Sequence, residues 1–216
     1  AAATGRTTSV PGILEGAFGY SIRSSQAVLD MVAPRIGPTL LLMGTALLIA
    51  LLVGITFGII TAVRQYGKLD YALTSFTMIL ISTPTFVLGL ILIYLLGVSL
   101  RLLPIGGMQT LGKPFNLIDL FAHMVMPALI LGFAYAAPLM RYTRSSMLEV
   151  LGSEYVTTAR AKGLAGRVVL VRHGLRNALI PIITVIGLQV GRLLGGTVIV
   201  ETMFGIPGIG RWAVDS

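Results

Sequence analysis

Few residue types in this chain could do chemistry, and their spacing decides what each can do. Gly107 to Pro114 reads GMQTLGKP, which fits the GxxxxGK pattern of a phosphate-binding loop. The next position of that pattern needs a Ser or Thr hydroxyl to hold Mg²⁺, but Pro114 has neither a hydroxyl nor a backbone N–H. No strand-like run precedes it, so no nucleotide site is expected. Gly205 to Gly210 (GIPGIG) is not GxGxxG and reads as a loop or re-entrant turn. His123 and His173 lie far apart and make poor partners for one metal. With no cysteine and no GxSxG element, neither thiolate chemistry, a Cys-held metal nor a hydrolase nucleophile is expected. The expectation is therefore no catalytic residue, no metal and no cofactor.

Positive charge is the chemistry that remains. The run ARAKGLAGRVVLVRHGLRNALIP, Ala159 to Pro181, carries Arg160, Lys162, Arg167, Arg172 and Arg176 and no acidic residue. Upstream, Ser153 can cap a helix through EYVTTARAK. Within it, Tyr155, Val156 and Ala159 fall on one side at spacings of three and four. Arg160 and Lys162 suit the negative end of the helix dipole, and Gly163 supplies a left-handed cap. The sequence thus predicts a short amphipathic helix that stops sharply, then a second basic helical stretch over roughly Gly166 to Asn177. Two readings stay open. The basic residues anchor one side of a membrane, with the helix lying on lipid, or the helix docks a soluble partner. The defined stop favours docking.

The elements that carry these residues are membrane helices. The chain is 55% hydrophobic and 11% charged, against ~25% charged in soluble domains. Four segments are long and apolar enough to cross a bilayer: Gly37 to Val63, Ala72 to Val98, Ile118 to Met140 and Ala178 to Val200. In lipid such segments are helices, because backbone groups must be satisfied internally. The net charge of +8 is read as topology rather than nucleic-acid binding. The linkers Val63 to Tyr71 and Arg141 to Asn177 are the basic ones, and an even number of crossings separates them. Both are expected in the cytoplasm and Gly107 outside, although Arg6, Arg23 and Arg35 then lie on the outer side. Gly54 with Gly58, and Gly187, Gly191 and Gly195, have the spacing of close-packed helices. Pro84, Pro127 and Pro138 are expected to kink their helices. Arg192 is the charge inside the last apolar segment, with Gln189 three residues before it. It either lines a pathway, where it would attract a substrate carboxylate, or snorkels outward or pairs with Glu201. A channel or secondary transporter normally carries more ionisable groups at mid-membrane than this.

A resemblance adds to this reading. YVTTARAKGL…VRHGLRNALIP is similar to the cytoplasmic loop of permease subunits of ABC transporters that work with a substrate-binding protein, in the dipeptide, oligopeptide and nickel group. FGYSIRSSQAVLDMVAPRIGPTL, RLLPIGG and ETMFGIPGIG agree in order along the chain. The wider superfamily has an EAA signature before its glycine; here Thr157, Thr158 and Ala159 stand there, and the interval from glycine to proline is longer. The resemblance implies an all-α, polytopic membrane protein of the type I ABC importer permease fold. One domain would span 1–216, with a coupling loop over 141–177. Glu154, Tyr155, Ala159, Arg160, Ala161, Lys162, Gly163 and Leu164 would make the contact with the ATPase. It implies a second homologous permease, two cytoplasmic ATP-binding subunits, an extracytoplasmic binding protein and membrane lipid as partners. The ATP hydrolysis would belong to those partners. The setting would be the cytoplasmic membrane of a bacterium or archaeon. Peptides are the expected cargo, with nickel or another small solute as the alternative. Family members have six membrane helices, so one is expected before Ala1 and another after Ser216.

Overall fold

The computed structural model describes residues 18–21 and 25–216; Arg6 and Arg23 lie outside them. Helix α1 is Val28–Val63, α2 Lys68–Ser82, α3 Thr85–Leu92, α4 Leu117–Leu151, α5 Glu154–Ala161, α6 Gly166–Val168, α7 Arg176–Phe204 and α8 Ile209–Asp215. Two π-helical stretches prolong them: Ile93–Ser99 continues α3, and Val169–Leu175 joins α6 to α7. No strand is present among the described residues, which hold one isolated bridge, Tyr20 to Ala27.

Three helices are long and apolar enough to cross a membrane: Val28–Val63, Leu117–Leu151 and Gly166–Phe204. The first starts earlier than its apolar run suggests. Its 36 residues reach about 54 Å at 1.5 Å per residue, well beyond a hydrocarbon core of about 30 Å. The second expected span is broken. Lys68–Ser82 and Thr85–Ser99 meet at 105°, with Thr83 extended (φ −95°, ψ 125°) ahead of Pro84. Proline disfavours helical backbone at the residue before it and lacks an N–H for the ladder, so the break falls there. Pro127 and Pro138 do not break α4, which stays one helix.

The close approaches set the directions. Gly132 of α4 faces Ala46 and Ile49 of α1, Gly54 faces Ala136 and Leu139, and Gly58 faces Met140 and Thr143, so α1 and α4 run parallel. Ser146 donates to the carbonyl of Ala178 at 3.0 Å, while Gly196 faces Leu131 and Tyr135, so α4 and α7 run antiparallel. The broken pair α2–α3 therefore returns the chain between α1 and α4. Its far end meets the other termini, because the N–H of Gly107 donates to the carbonyl of Phe204 at 2.6 Å. The stretches RLLPIGG and ETMFGIPGIG thus touch. One core packs near that end around Leu42, Met126, Leu131 and Phe204, and another toward the basic end around Ala62, Leu139, Met147 and Ile182.

This arrangement places Arg64 and Arg160 at one end and the 100–116 loop at the other. The expected result is that single cysteines at Arg64 and Arg160 label from the same side of the membrane, and one at Leu111, 93% exposed on the loop, from the opposite side. The native chain has no cysteine to compete. Opposite-side labelling of Arg64 and Arg160 would overturn the four-crossing path.

Candidate coupling surface

The short helix α5 forms where its pattern predicts and is held by apolar packing. Val156 and Ala159 are buried with Val169 against Val150 and Leu151. Tyr155 is not on that buried side: its ring is 45% exposed, and its hydroxyl accepts from Asn177 Nδ2 at 3.2 Å. Ser153 occupies the N-cap position, but its hydroxyl donates backward to the carbonyl of Val150 at 2.6 Å. It therefore ties α5 to the end of α4 and makes no cap bond to the first amides of α5.

The stop is as sharp as the sequence predicts. Gly163 has φ +75°, its N–H donates to the carbonyl of Arg160 at 2.9 Å, and that of Leu164 reaches the carbonyl of Ala159 at 3.4 Å. These bonds use carbonyls that an ending helix leaves unpaired. A Cβ at Gly163 would meet nothing within 4 Å, so the constraint there is backbone conformation alone. Glu154, Arg160, Ala161, Lys162, Gly163 and Leu164 are all exposed around this stop. Leu164, Val168 and Val171 add exposed apolar surface among Arg160, Lys162, Arg167 and Arg172. Beside them a cavity of about 670 Å³ opens between Val63 at the end of α1 and Gln65 just after it, Leu148 and Leu151 of α4, and Arg160, Arg167 and Leu170 of the loop. The surface is thus basic, partly apolar and concave, and it rests on the end of α4.

The structure separates the other expected pair. Gln189 is buried, and its Oε1 has no hydrogen-bond partner. Arg192 is exposed, while its carbonyl accepts from the Tyr135 hydroxyl at 2.8 Å. The two side chains therefore do not share one environment. The suggested pairing of Arg192 with Glu201 is also absent. Glu201 is fully buried, accepting from Thr39 Oγ1 at 2.7 Å and from the N–H of Arg211 at 3.0 Å. The glycine stripe departs from its expected role too: a Cβ at Gly187, Gly191 or Gly195 would meet nothing within 4 Å, because this face is open.

The loop that mimics a phosphate site binds a carboxylate of its own chain. Asp119 accepts from the N–H of Thr110 at 2.6 Å and from its hydroxyl at 2.7 Å. His123 is buried next to it, with Nδ1 2.8 Å from the carbonyl of Asp119. Among the described residues no cluster of three His, Asp or Glu side chains could hold a metal.

The sequence offers Glu201 only as a partner for Arg192, and Asp70 not at all; Asp70 is held by Arg144 at 2.9 Å, 74 positions away. The available signal was scarcity, since Asp70 is the sole acidic residue between Asp30 and Asp119. A lone carboxylate beside apolar runs needs a partner.

Comparison with known proteins fits this geometry. The family model described as binding-protein-dependent transport system inner membrane component matches residues 54–216. The chain is 45% identical over 205 residues to the oligopeptide transport system permease protein AppB of Bacillus subtilis (strain 168), covering 94% of this chain and 65% of that protein. It is 39% identical over 226 residues to the dipeptide transport system permease protein DppB of Escherichia coli (strain K12), covering 95% and 67%. It is 42% identical over 207 residues to the glutathione transport system permease protein GsiC of Escherichia coli O1:K1 / APEC, covering 96% and 64%. The chain thus spans about 65% of the length of the first of these curated relatives. The match and the apolar helices together make it a multi-pass membrane protein. It belongs to the family of inner membrane components of binding-protein-dependent transport systems.

Proposed function

We propose that the chain is the permease subunit of an ATP-driven peptide importer working by alternating access in the cytoplasmic membrane. It pairs with a second homologous permease, two cytoplasmic ATP-binding subunits and an extracytoplasmic binding protein. ATP is hydrolysed by the partners, and this chain supplies the path and the contact that receives their motion. The observation that carries the reading is α5, a short helix with an exposed outer face, fixed to the end of α4 and stopped at Gly163 among exposed basic residues. The names of the relatives, which include oligopeptide, dipeptide and glutathione transport permeases, support peptides as the cargo. Residues 141–177 are then the coupling loop. Glu154, Tyr155, Ala159 to Leu164 and the cavity beside Arg160 receive the ATPase, with Ala159 acting from the buried side.

The test is co-purification followed by reconstitution, with Gly163 as the probe. In the native complex, ATP-binding subunits co-purify and peptide enters vesicles only with ATP and binding protein. Gly163→Val leaves permease in the membrane and lowers ATPase recovery and uptake. A β-branched residue at positive φ costs about 1–3 kcal/mol, which the loop escapes by unwinding its stop. Gly163→Asn, which tolerates this backbone, retains most uptake. Normal uptake in Gly163→Val removes Gly163 from the contact. A native chain that carries nothing with those partners defeats the importer reading.

Arg192 supplies a second expectation. Its guanidinium is exposed on α7 and has no acidic partner among the described residues. A charge facing lipid near mid-membrane costs roughly 2.5–3.5 kcal/mol on insertion scales, which favours a pathway lined by protein and water. Arg192→Gln is then expected to slow uptake of free-carboxylate peptides on the order of fivefold more than of C-terminally amidated ones, through loss of a charge-assisted hydrogen bond. Equal loss for both returns Arg192 to a structural role. Gln189, three residues earlier, is buried and does not share this exposed surface.

A further inference from the structure

The Asp70 carboxylate joins three elements. Arg144 grips it at two points, Nε to Oδ1 at 3.1 Å and Nη2 to Oδ2 at 2.9 Å. Asp70 also accepts from the N–H of Tyr66 at 2.9 Å and from Thr74 Oγ1 at 3.2 Å, and it is 3% exposed. Tyr66 has φ +62°, a conformation unusual for a tyrosine, so the carboxylate also holds the turn that leaves α1. One group therefore fixes the turn after α1, the start of α2, and α4. By contrast, the His123–Asp119 and Arg211–Asp215 pairs each lie within a single helix.

The position gives this tie its consequence. Arg144 lies about two turns before the end of α4, which passes through Gly152 and Ser153 straight into α5. On the other side, α2 leads to the break at Pro84 and then to α3, whose Gly89 abuts Met203 of α7. Beside the pair a cavity of about 550 Å³ opens between the two helices, lined by Thr74 and Thr77 of α2 and by Arg141 and Ser145 of α4, while Phe76 of α2 meets Phe133 of α4 edge to face. A buried ion pair is weak evidence for stability, since apolar replacements often hold as well. A two-point arginine fork, however, fixes angle and register as well as distance.

We propose that the Asp70–Arg144 pair is a positioning bridge for transport. It makes the start of α2 move as one body with the end of α4, so that displacement of α5 reaches the broken helix pair α2–α3. The proposal rests on α5 being the ATPase contact, and it goes beyond that reading by naming the route inward.

The experiment uses the complete importer in lipid, with Asp70→Asn, Arg144→Lys and the neutral double variant Asp70→Asn/Arg144→Gln. The double variant leaves no orphaned charge, so permease level and ATPase recovery return toward native. ATP hydrolysis continues, but peptide moved per ATP falls about tenfold, the size of a typical coupling factor. Arg144→Lys keeps the charge without the fork and is intermediate. A ratio unchanged in the double variant overturns the bridge, as does loss of hydrolysis and uptake in proportion to the amount of complex. A second readout needs no transport. Spin labels on cysteines at Tyr71 and Tyr142, both well exposed, report the α2–α4 spacing with and without trapped ATP. The spacing stays fixed in the native background and broadens in the double variant. A spacing that changes with nucleotide in the native background defeats the bridge whatever the cargo. A native importer that moves no peptide but keeps the spacing result defeats the cargo reading alone.

Discussion

Replacing Gly58 with leucine is expected to remove the folded permease from the membrane. Helices α1 and α4 run parallel and touch through Gly54 and Gly58. A Cβ at Gly58 would collide with the Thr143 side chain and lie 2.9 Å from the carbonyl oxygen of Met140. Neither neighbour can yield: Thr143 is fully buried and branched at Cβ, and the carbonyl belongs to helix backbone. Between membrane helices close contact replaces the hydrophobic drive, so a forced separation has no compensation from water. Overpacking at one carbon costs about 1–3 kcal/mol, so Gly58→Ala lowers thermal stability and leucine exceeds what the pair can absorb. Gly54→Ala is milder, because its contacts with Ala136 and Leu139 begin at 3.0 Å. Gly191→Ala on the open face is neutral for the chain, within about 0.5 kcal/mol. Melting curves of the purified permease give the order. Equal melting of Gly58→Ala and Gly191→Ala would show that α1 and α4 do not meet here.

That contrast shows how far the sequence carries. Both glycine series have the same spacing, and each reads as a packing stripe. What distinguishes them is the presence of a neighbouring helix, and spacing along one helix does not contain the other. The crossings were legible because lipid imposes length and apolarity locally. The stop at Gly163 was legible because a left-handed cap has a local residue preference. Pro84 announced a kink, yet the size of the turn depends on what α2 and α3 pack against. The cross-helix partners of Asp70 and Glu201 were illegible for the same reason as the open stripe. Arg144 and Thr39 stand 74 and 162 positions from them, and no local pattern links a carboxylate to an arginine or threonine on another helix. Ser153 has the right type at the right position for a cap, but it spends its hydroxyl on the helix behind it.

The Glu201 site yields the second large effect. Its carboxyl is fully buried where α7 ends, and it receives the Thr39 hydroxyl at 2.7 Å and the Arg211 N–H at 3.0 Å. Thr39 Oγ1 in turn accepts from the N–H of Ile209 at 2.9 Å. Glu201 and Thr39 thus satisfy two first-turn amides of α8, capping it from two other helices. Gly208 and Gly210 make the room, since a Cβ at Gly208 would collide with the carboxyl and one at Gly210 would lie 2.7 Å from Val198 Cα. Glu201→Leu leaves the buried Thr39 hydroxyl and the part-buried Arg211 amide without acceptors. At about 1–3 kcal/mol for each unsatisfied group, the loss is roughly 2–6 kcal/mol. Glu201→Gln keeps one acceptor oxygen, and its amide can donate to a Thr39 hydroxyl that has rotated away. Its cost is nearer 1 kcal/mol. Gly208→Ala should resemble the leucine variant, because it evicts the carboxyl without changing Glu201. The chain contains a single tryptophan, Trp212, and it sits on α8 with the Arg35 guanidinium 5.9 Å from its ring centre. Its emission therefore reports whether α8 stays docked. Glu201→Leu and Gly208→Ala are expected to shift that emission and lower the melting temperature together, with Glu201→Gln close to native. An unchanged spectrum and melting temperature in Glu201→Leu would mean that α8 is held by its apolar contacts and that the buried carboxyl does not cap it.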